Sequence, residues 1–471
     1  MSLTSDQFNG RKNGGILQSA KFTLSDAIDK VRLPKPHRTN TRVDVRHSRK
    51  EFKDLSVYAA MQKHQEIAKS MNLDNPFYRS HEMRSGAMTW MDGAEHINFA
   101  SYDYLGLAQH QTVLEAAKAA IDNYGASVSA SRIVAGERPV HGALEAAIAD
   151  FYEAEAAVAF VSGHATNVST IDALLNPADL IVYDELIHNS AHVGAKLSGA
   201  TCKSFAHNDM EALEKVLREH RAKHKQALII VEGLYSMDGD FPDLRPLVEL
   251  KDQYGCWLMI DEAHSLGVLG KTGRGIAEHY GVDPGRVDIW MGTLSKTLGT
   301  CGGYIAGKSE LIEILKYQAA GFVYSVGMPP PMAAGAHAAL EVLKNEPERV
   351  QRLQANGALF LAEAKKAGLN TATSEGYSVV PVIVGDSVKA VKLTETLLKR
   401  GINALPIIYP AVPLKQERIR FFITAEHSPE QIREAVRITA EELDTMAKTR
   451  FKRMPMAKLQ ATMAMRSAGL T

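Results

Sequence analysis

One lysine, Lys296, follows a short apolar run in a turn made almost entirely of small residues. The run, Ile289 to Met291, predicts a buried strand. Beyond it, Gly299, Gly302 and Gly303 allow the backbone to approach a flat or charged group closely. A lysine placed there loses solvation, which lowers its pKa toward a value suited to imine formation. The alternative is an exposed lysine beside an ordinary turn, and the residues after the other apolar runs bear on that choice.

Small and polar residues also follow the apolar run from Ala156 to Val161. Ser162, Gly163 and His164 predict a strand-to-helix turn. Because the free N–H groups at a helix N-terminus bind anions, the functional interpretation is a phosphate site. The alternative is an ordinary capped helix without a ligand.

Two further turns carry a histidine and a serine. His188 follows the run from Leu180 to Tyr183, where it could lie flat on an aromatic ligand or serve only as a structural histidine. Ser236 follows the run from Ile229 to Val231, where it could bond a ring substituent or belong only to a turn.

The strongest signal after Lys296 is an acid at the end of a buried run. Asp261 follows Trp257 to Ile260, and a buried carboxylate is costly unless it is paired. A protonated pyridine nitrogen is such a partner, and His264 could reach the oxygen of the same ring. Thr293 precedes Lys296 by three residues. Together with the phosphate turn and the histidine above, these residues form the set that pyridoxal phosphate requires.

Short apolar runs that alternate with helical stretches would position these side chains. The candidate strands are Ala156 to Val161, Leu180 to Tyr183, Leu228 to Val231, Trp257 to Ile260, Ile289 to Met291 and Tyr304 to Ala306. This alternation predicts an α/β domain with a mainly parallel sheet, which binds ligands at the carboxyl ends of its strands. After about residue 340 the pattern changes to a smaller α+β lobe. We expect an N-terminal arm and helix over 1–85, a large domain over 86–340 and a small domain over 341–471.

Composition excludes several classes of protein. The 471 residues are 45% hydrophobic and 23% charged with zero formal net charge, which gives no indication of nucleic-acid binding. Three widely spaced cysteines indicate neither a disulfide framework nor a zinc site, and we expect no metal. Neither a signal-peptide core nor an apolar run of about 18 residues is present. These features predict a soluble cytoplasmic protein.

The termini are basic. Between Lys30 and Lys50 there are eight lysines and arginines and a single acid, Asp44. This stretch predicts either a solvated arm or a segment that docks on an acidic partner. A helix is expected from Ser56, as its N-cap, to Met71. Near the C-terminus, residues 450–453 predict a solvated basic tail.

The chain resembles the α-oxoamine synthase family of fold-type I pyridoxal-phosphate enzymes, which includes serine palmitoyltransferase and 8-amino-7-oxononanoate synthase. The resemblance covers residues from about 50 to 446, and its combined motifs are highly specific. They are Asn98 to Gly106, Ser131 and Arg132 with Gly136, Ser162 and Gly163, Asp184 with His188, Glu232 to Gly239, Asp261 to His264, Gly273 to Gly275, Thr293 to Lys296, and Arg418 to Arg420.

The resemblance implies a fold, a set of roles and an assembly. The fold would be a large domain with a seven-stranded, mainly parallel sheet and a smaller C-terminal α+β domain. Lys296 would hold the cofactor and act as general base, while His188 would stack on the ring and Asp261 would pair with its nitrogen. The remaining cofactor contacts would be His264 and Ser236 at the ring oxygen, and Ser162, Gly163, His164 and Thr293 at the phosphate. The family forms dimers, so Ser325 could reach the phosphate of the other subunit.

The resemblance also implies a reaction: condensation of a small amino acid with an acyl thioester, with loss of CO2, to give an α-amino ketone. Most members carry an arginine before a proline-rich turn, but Pro406 to Pro413 holds none, which leaves Arg420 as the candidate carboxylate anchor. Tyr102 is similar to the serine palmitoyltransferase version of its motif. Other motifs are similar to synthases that use carrier-protein-bound acyl chains in bacterial sphingolipid or polyketide-like pathways, and the basic arm would suit such a carrier. The alternatives are another fold-type I activity, such as an aminotransferase or aldolase, and a non-catalytic synthase subunit.

Overall fold

The structure is a computed structural model that describes residues 51–448. The predicted basic arm within residues 1–50 and the predicted basic tail at 450–453 lie outside the described residues. The chain divides after Lys63 into two compact units. In the first unit, the described residues form a 3-10 turn at Phe52–Asp54 and the beginning of the first helix, which starts at Ser56 itself rather than after it.

The described residues alternate between helices and strands along most of the chain. The helices are α1 (Ser56–Ser70), α2 (Gln111–Tyr124), α3 (Pro139–Phe151), α4 (Gly163–Leu174), α5 (Asn189–Ser198), α6 (Met210–His220), α7 (Leu244–Tyr254), α8 (Ile276–Tyr280), α9 (Ser309–Gln318), α10 (Ala320–Val323), α11 (Pro330–Asn345), α12 (Glu348–Lys366), α13 (Ser387–Lys399) and α14 (Pro429–Lys448). The strands are β1 (Met88–Met91), β2 (Ala94–Asn98), β3 (Ala156–Phe160), β4 (Leu180–Asp184), β5 (Thr201–Phe205), β6 (Ala227–Glu232), β7 (Trp257–Asp261), β8 (Ile289–Thr293), β9 (Gly303–Gly307), β10 (Val379–Ile383), β11 (Ile402–Asn403), β12 (Leu405–Ile407) and β13 (Arg418–Phe422).

A seven-stranded sheet organises the region that holds the predicted site. Its strand order is β3-β9-β8-β7-β6-β4-β5, and only β9 runs antiparallel to its neighbours. Hydrophobic clusters cover both faces, which explains why the inner strands read as continuous apolar runs rather than as alternating ones. The mainly parallel α/β sheet predicted from the sequence is therefore confirmed.

Two segments around the seven-stranded sheet were not predicted from the sequence. Strand β5 was not among the candidate strands, because it lies at the sheet edge and its sequence, Thr-Cys-Lys-Ser-Phe, is only partly apolar. The loop of small residues that precedes α3 ends in a π-helical turn, Arg132–Gly136. There the buried Arg132 bonds to Glu137 and Glu145, and this pairing of charges stabilises a turn that composition alone does not indicate.

Two three-stranded sheets complete the fold. One has the order β10-β13-β12 with antiparallel pairing, and the other has the order β1-β2-β11. A separate hydrophobic cluster forms around Phe99, Phe360 and Phe421, whose rings contact one another with centroids 4.9–5.9 Å apart. The predicted smaller α+β part is thus present, whereas the domain boundaries at residues 85 and 340 stay a prediction. Within residues 51–448, no helix is both long and apolar enough to cross a lipid bilayer.

Candidate active site

Lys296 lies in the turn that follows β8, at the carboxyl edge of the seven-stranded sheet. Its Nζ is 5.9 Å from the centroid of the Tyr102 ring. Burial lowers the pKa of Lys296 to about 8, although the negative charges of Asp261 and Glu232 act in the opposite direction. A substantial fraction of this amine is therefore neutral near physiological pH, which is the form that attacks a carbonyl carbon.

Asp261 ends β7 with its side chain only 4% exposed. Its Oδ2 accepts a hydrogen bond from Asn167 Nδ2 at 2.8 Å, and its Oδ1 accepts one from the Ala263 amide at 3.0 Å. Both donors are neutral, and no lysine, arginine or histidine among the described residues forms an ion pair with this carboxylate. A buried carboxylate without a cationic partner suits a ligand that carries a protonated nitrogen.

A second buried carboxyl, Glu232, stands beside Asp261 in register on the neighbouring strand β6. Burial and the charge of Asp261 raise the pKa of Glu232 to about 8. Its Oε2 accepts a bond from the Ser236 amide at 3.2 Å. Glu232 is therefore mostly neutral at pH 7, which leaves Asp261 as the main negative charge near Lys296.

His264 is buried between two tyrosines. The Tyr104 hydroxyl lies 2.6 Å from His264 Nδ1, and the Tyr102 ring meets the imidazole edge-on with centroids 6.2 Å apart. Burial and the neighbouring positive charges, chiefly Lys296, lower the pKa of His264 well below its usual value. Burial also raises the pKa of Tyr104, so this hydroxyl stays protonated. His264 is thus a neutral imidazole whose Nδ1 is occupied by the Tyr104 hydroxyl.

The predicted phosphate turn brings together the start of α4 and the end of β8. Ser162 is the N-cap of α4, and its Oγ lies 3.5 Å from the Ala165 amide. A Cβ at Gly163 would lie 2.9 Å from Thr293 Oγ1, and one at Gly303 would lie 2.7 Å from the Cα of Gly163. The glycines therefore let two backbone segments and a hydroxyl converge at the N-terminus of a three-turn helix, which favours an anion.

His188 and His164 lie at the exposed side of this site. The Nδ1 atom of His188 accepts from Ser190, with the two side chains 2.7 Å apart, and His188 thereby caps α5. Burial lowers the pKa of His188, as do the charges of Lys296 and His164, while Asp261 raises it. His188 therefore lies within electrostatic range of both Lys296 and His164. Its Nε2 atom takes no part in the cap of α5.

Arg420 on β13 faces Tyr102 and the Ser236 loop. Its guanidinium donates to the Ser236 carbonyl at 2.8 Å and reaches the Tyr102 hydroxyl at 3.5 Å. It also lies over the Phe422 ring, 4.5 Å from the centroid. Its Nε has no hydrogen-bond partner, and no acid within residues 51–448 forms an ion pair with this buried cation. Burial lowers the pKa of Arg420, yet a guanidinium remains charged. The site therefore contains an unneutralised cation.

Ser325 is the one predicted site residue that stands apart. It is half-buried between Tyr324 and Val326, which are 87% and 48% exposed. Within residues 51–448 no hydrogen bond connects it to the cluster around Lys296. The predicted role of Ser325 concerns a second subunit, so a single chain does not test it.

The sequence reading assigned no role to three residues that contact this cluster. Asn167 donates both to Asp261 and to Ser190 Oγ at 2.9 Å, which links the carboxylate to the cap of His188. Tyr104 bonds to His264 Nδ1, and Glu232 neighbours Asp261. Tyr104 and Glu232 lie inside motifs named in the sequence analysis, and Asn167 lies three residues after the predicted phosphate turn. Their side-chain directions follow from strand register and helix packing, which local patterns do not reveal.

The residues present fit pyridoxal phosphate. Asp261 lacks a cationic partner that a pyridinium would supply, and the glycine-lined start of α4 offers amides to a phosphate. Lys296 is a half-buried amine whose pKa is lowered to about 8. Buried charges are unfavourable without a ligand of complementary charge. This cofactor supplies a pyridinium nitrogen for Asp261, a phosphate for the start of α4 and an aldehyde for Lys296.

Comparison with known proteins shows the family of the chain. Residues 94–438 match the aminotransferase class I and II family. An 8-amino-7-oxononanoate synthase of Symbiobacterium thermophilum is 42% identical over 74% of this chain and 88% of its own length. The serine palmitoyltransferase of Sphingomonas wittichii superposes with a TM-score of 0.81 at 28% identity, over 84% of this chain and 99% of its own. A serine palmitoyltransferase solved with its pyridoxal-phosphate internal aldimine gives 0.81 at 26% identity, over 85% of this chain and all of its own.

The chain belongs to the aminotransferase class I and II family and has its fold-type I architecture. Within that family it is a pyridoxal-phosphate-dependent α-oxoamine synthase. The fold, the cofactor and the class of reaction predicted from the sequence are confirmed by these matches.

Proposed function

We propose that this synthase condenses serine, alanine or glycine with an acyl thioester of coenzyme A or an acyl carrier protein, releasing CO2 and the thiol. The observation that carries the proposal is a pair of cations, the half-buried Lys296 and the buried Arg420, which both contact Tyr102 and form no ion pair within the described residues. An amino acid offers a carboxylate that Arg420 can bind and an amine that can react with the aldehyde of the cofactor. A small amino acid suits this arrangement because the Tyr102 ring occupies the space between the two cations.

Specific residues would hold the cofactor. Asp261 would pair with the ring nitrogen, His188 would stack on the ring, and Ser236 and His264 would bond to the ring oxygen. Ser162, Gly163, His164 and Thr293 bind the phosphate. When bound, pyridoxal phosphate supplies an aldehyde that reacts with amines and a ring that withdraws electrons from the amino-acid Cα.

Lys296 serves first as the amine that holds the cofactor and then as the base that takes the Cα proton of the substrate. A pKa of about 8 suits both roles, because the amine is close enough to neutrality to accept a proton and basic enough to retain it. Because Glu232 is mostly neutral, the Asp261 carboxylate is the group that would pair with a protonated ring nitrogen.

We assign to His264 the tautomer with its proton on Nε2, in which the Tyr104 hydroxyl donates to Nδ1 and Nε2 can donate to an oxygen. A neutral imidazole can donate to an oxygen without adding a charge beside Lys296. Arg420 binds the substrate carboxylate through the donors that its bond to the Ser236 carbonyl leaves free. Tyr102, which contacts both cations, orients the amino acid between them.

A panel assay tests this function. The holoprotein is incubated with single amino acids labelled at the carboxyl carbon and with acyl thioesters of increasing length, while released CO2, free thiol and the ketone product are measured. We expect all three to appear in equal amounts with one small amino acid, and none with Lys296→Ala. Formation of a keto acid without thiol release would favour an aminotransferase, and cofactor binding without turnover would favour a non-catalytic subunit.

The protein would act as a homodimer. Val134 in the π-helical turn is 79% exposed and Tyr324 is 87% exposed. The two segments are joined by the bond from the Gly327 amide to the Ala130 carbonyl at 2.9 Å. Large apolar side chains grouped in this way are typical of subunit interfaces. Ser325 lies within this patch and would reach the partner's phosphate site. Sedimentation should give twice the chain mass, and Tyr324→Asp should shift it toward the monomer.

The carrier of the acyl group and the compartment are separate proposals. The basic stretch from Lys30 to Lys50 would bind an acidic acyl carrier protein, and the synthase would be cytoplasmic, consistent with three free cysteines. Removal of residues 1–50 should raise KM for a carrier-bound thioester and leave KM for the coenzyme A thioester unchanged. An equal change for both donors would refute docking by the arm.

A further inference from the structure

We propose that His207 is a positioning residue of this synthase: its imidazolium fixes the separation of the two loops that carry His188 and Ser236. His207 lies after β5, outside every motif that the sequence reading used. Its Nδ1 is 2.9 Å from Asp184 Oδ1, and its Nε2 is 3.1 Å from Asp240 Oδ2. One ring thus joins the end of β4 to the loop that follows β6.

Each carboxylate controls one of the two loops. Asp184 is fully buried, and the same Oδ1 that meets His207 accepts from the Leu186 amide at 2.9 Å, which shapes the turn that leads to His188. Asp240 closes the other loop. Its backbone carbonyl accepts a hydrogen bond from the Tyr235 amide at 2.8 Å, and Ser236 lies in the loop between these two residues. A shift of either carboxylate therefore moves a side chain that flanks the cofactor ring.

The imidazole remains charged. Burial lowers the pKa of His207, but the hydrogen bonds and charges of Asp184 and Asp240 outweigh burial and raise it to about 10. Both ring nitrogens therefore donate at neutral pH. Glu185 faces the His207 backbone amide at 3.2 Å, and Tyr235 packs edge-on against the ring with centroids 4.4 Å apart. Two buried carboxylates share this cation, so its removal would leave both uncompensated.

The segment before β10 holds the same loop from its other side. Thr373 Oγ1 donates to Asp240 Oδ2 at 2.7 Å, and the Glu375 amide donates to the Gly239 carbonyl at 3.1 Å. A Cβ at Gly239 would lie 2.0 Å from the Val379 carbonyl, so the two backbones are in direct contact. His207 thus anchors the Ser236 loop against a surface that also packs on β10.

The test measures cofactor affinity in apoprotein without substrates, so its outcome is independent of condensation, although it rests on the proposed placement of His188 and Ser236 at the ring. His207→Gln retains one donor and removes the charge. His224→Gln is the matched control, because His224 is also half-buried and bonded, through Nδ1 to the His220 carbonyl at 2.9 Å. The apparent Kd for pyridoxal phosphate and the melting temperature of each apoprotein are recorded.

We expect the Kd of His207→Gln to rise about tenfold, from the loss of a charge-assisted bond, and that of His224→Gln to stay within twofold. If His207→Gln fails to fold, Asp240→Asn replaces it, because it keeps an acceptor and removes one charge, and we expect about a threefold rise. A folded variant with a lower melting temperature and the wild-type Kd would overturn the inference and leave His207 a structural residue only. A wild-type Kd in Ser236→Ala would also overturn it, because the loop would then not act on the ring.

Discussion

Replacement of Lys296 by methionine should stabilise the apoprotein while it abolishes activity. The pKa of this lysine falls from 10.5 to about 8 on folding, chiefly through burial. At about 1.36 kcal/mol per pKa unit, this shift corresponds to a penalty of about 3.4 kcal/mol for the folded state at pH 7. The side chain is half-buried and keeps some solvent contact, so we expect a gain of about 2 kcal/mol from Lys296→Met. The penalty is full below pH 8 and disappears as pH rises from 8 to 10.5, because over that range the unfolded chain binds the proton and the folded chain does not.

The assay is urea unfolding of cofactor-free protein at pH 7 and at pH 10, at one protein concentration. Lys296→Met should be more stable than wild type at pH 7, and the difference should shrink at pH 10. Lys308→Met is the control, because Lys308 is exposed and pairs with Glu155, which raises its pKa, and its removal should give no gain. A less stable Lys296→Met at pH 7, or a gain that is the same at both pH values, would refute the reasoning.

Three further substitutions test separate parts of the site. Gly163→Ala should weaken cofactor binding at least about tenfold, because its Cβ would enter the phosphate cradle 2.9 Å from a threonine hydroxyl, while Gly142→Ala, which meets nothing within 4 Å, should bind normally in the same titration. Arg420→Met should lower kcat/KM for the amino acid about 30- to 150-fold with cofactor affinity unchanged, since it removes a charge-assisted bond of about 2–3 kcal/mol; a fall below threefold would show that the carboxylate binds elsewhere. Tyr104→Phe removes the hydroxyl bonded to His264 Nδ1 and should lower kcat/KM about fivefold, and because it leaves a buried nitrogen unpaired it should also lower apoprotein stability by about 1 kcal/mol.

The elements that build the site could be predicted because their signals are local. Strands β6, β7 and β8 are buried on both faces, so each reads as a continuous apolar run, and the polar residue after each run marks a sheet edge where ligands bind. Lys296 and Asp261 follow directly from this pattern. Strand β5 escaped because an edge strand needs apolar residues on fewer sides.

The second layer of contacts could not be predicted, because it depends on distances in space rather than along the chain. Asn167 lies 94 residues before Asp261, and Tyr104 lies 160 residues before His264. Whether an asparagine on a helix faces a carboxylate depends on how that helix packs on the sheet. His207 follows β5, the one strand of the seven-stranded sheet that was not predicted from the sequence. No sequence pattern therefore placed it near Asp184.

The unpaired charges of the site determine which ligands bind there. Lys296 is a half-buried cation and Arg420 a buried one, neither has an ion-pair partner among the described residues, and Asp261 is a buried carboxylate without a cation. Each is unfavourable alone, yet a pyridinium complements Asp261, a phosphate complements the start of α4, and an amino-acid carboxylate complements Arg420. The same residues that lower the stability of the free chain therefore supply affinity when ligands of matching charge enter. It follows that cofactor and amino acid should each raise the melting temperature, and that a neutral amine without a carboxylate should raise it less than the amino acid does.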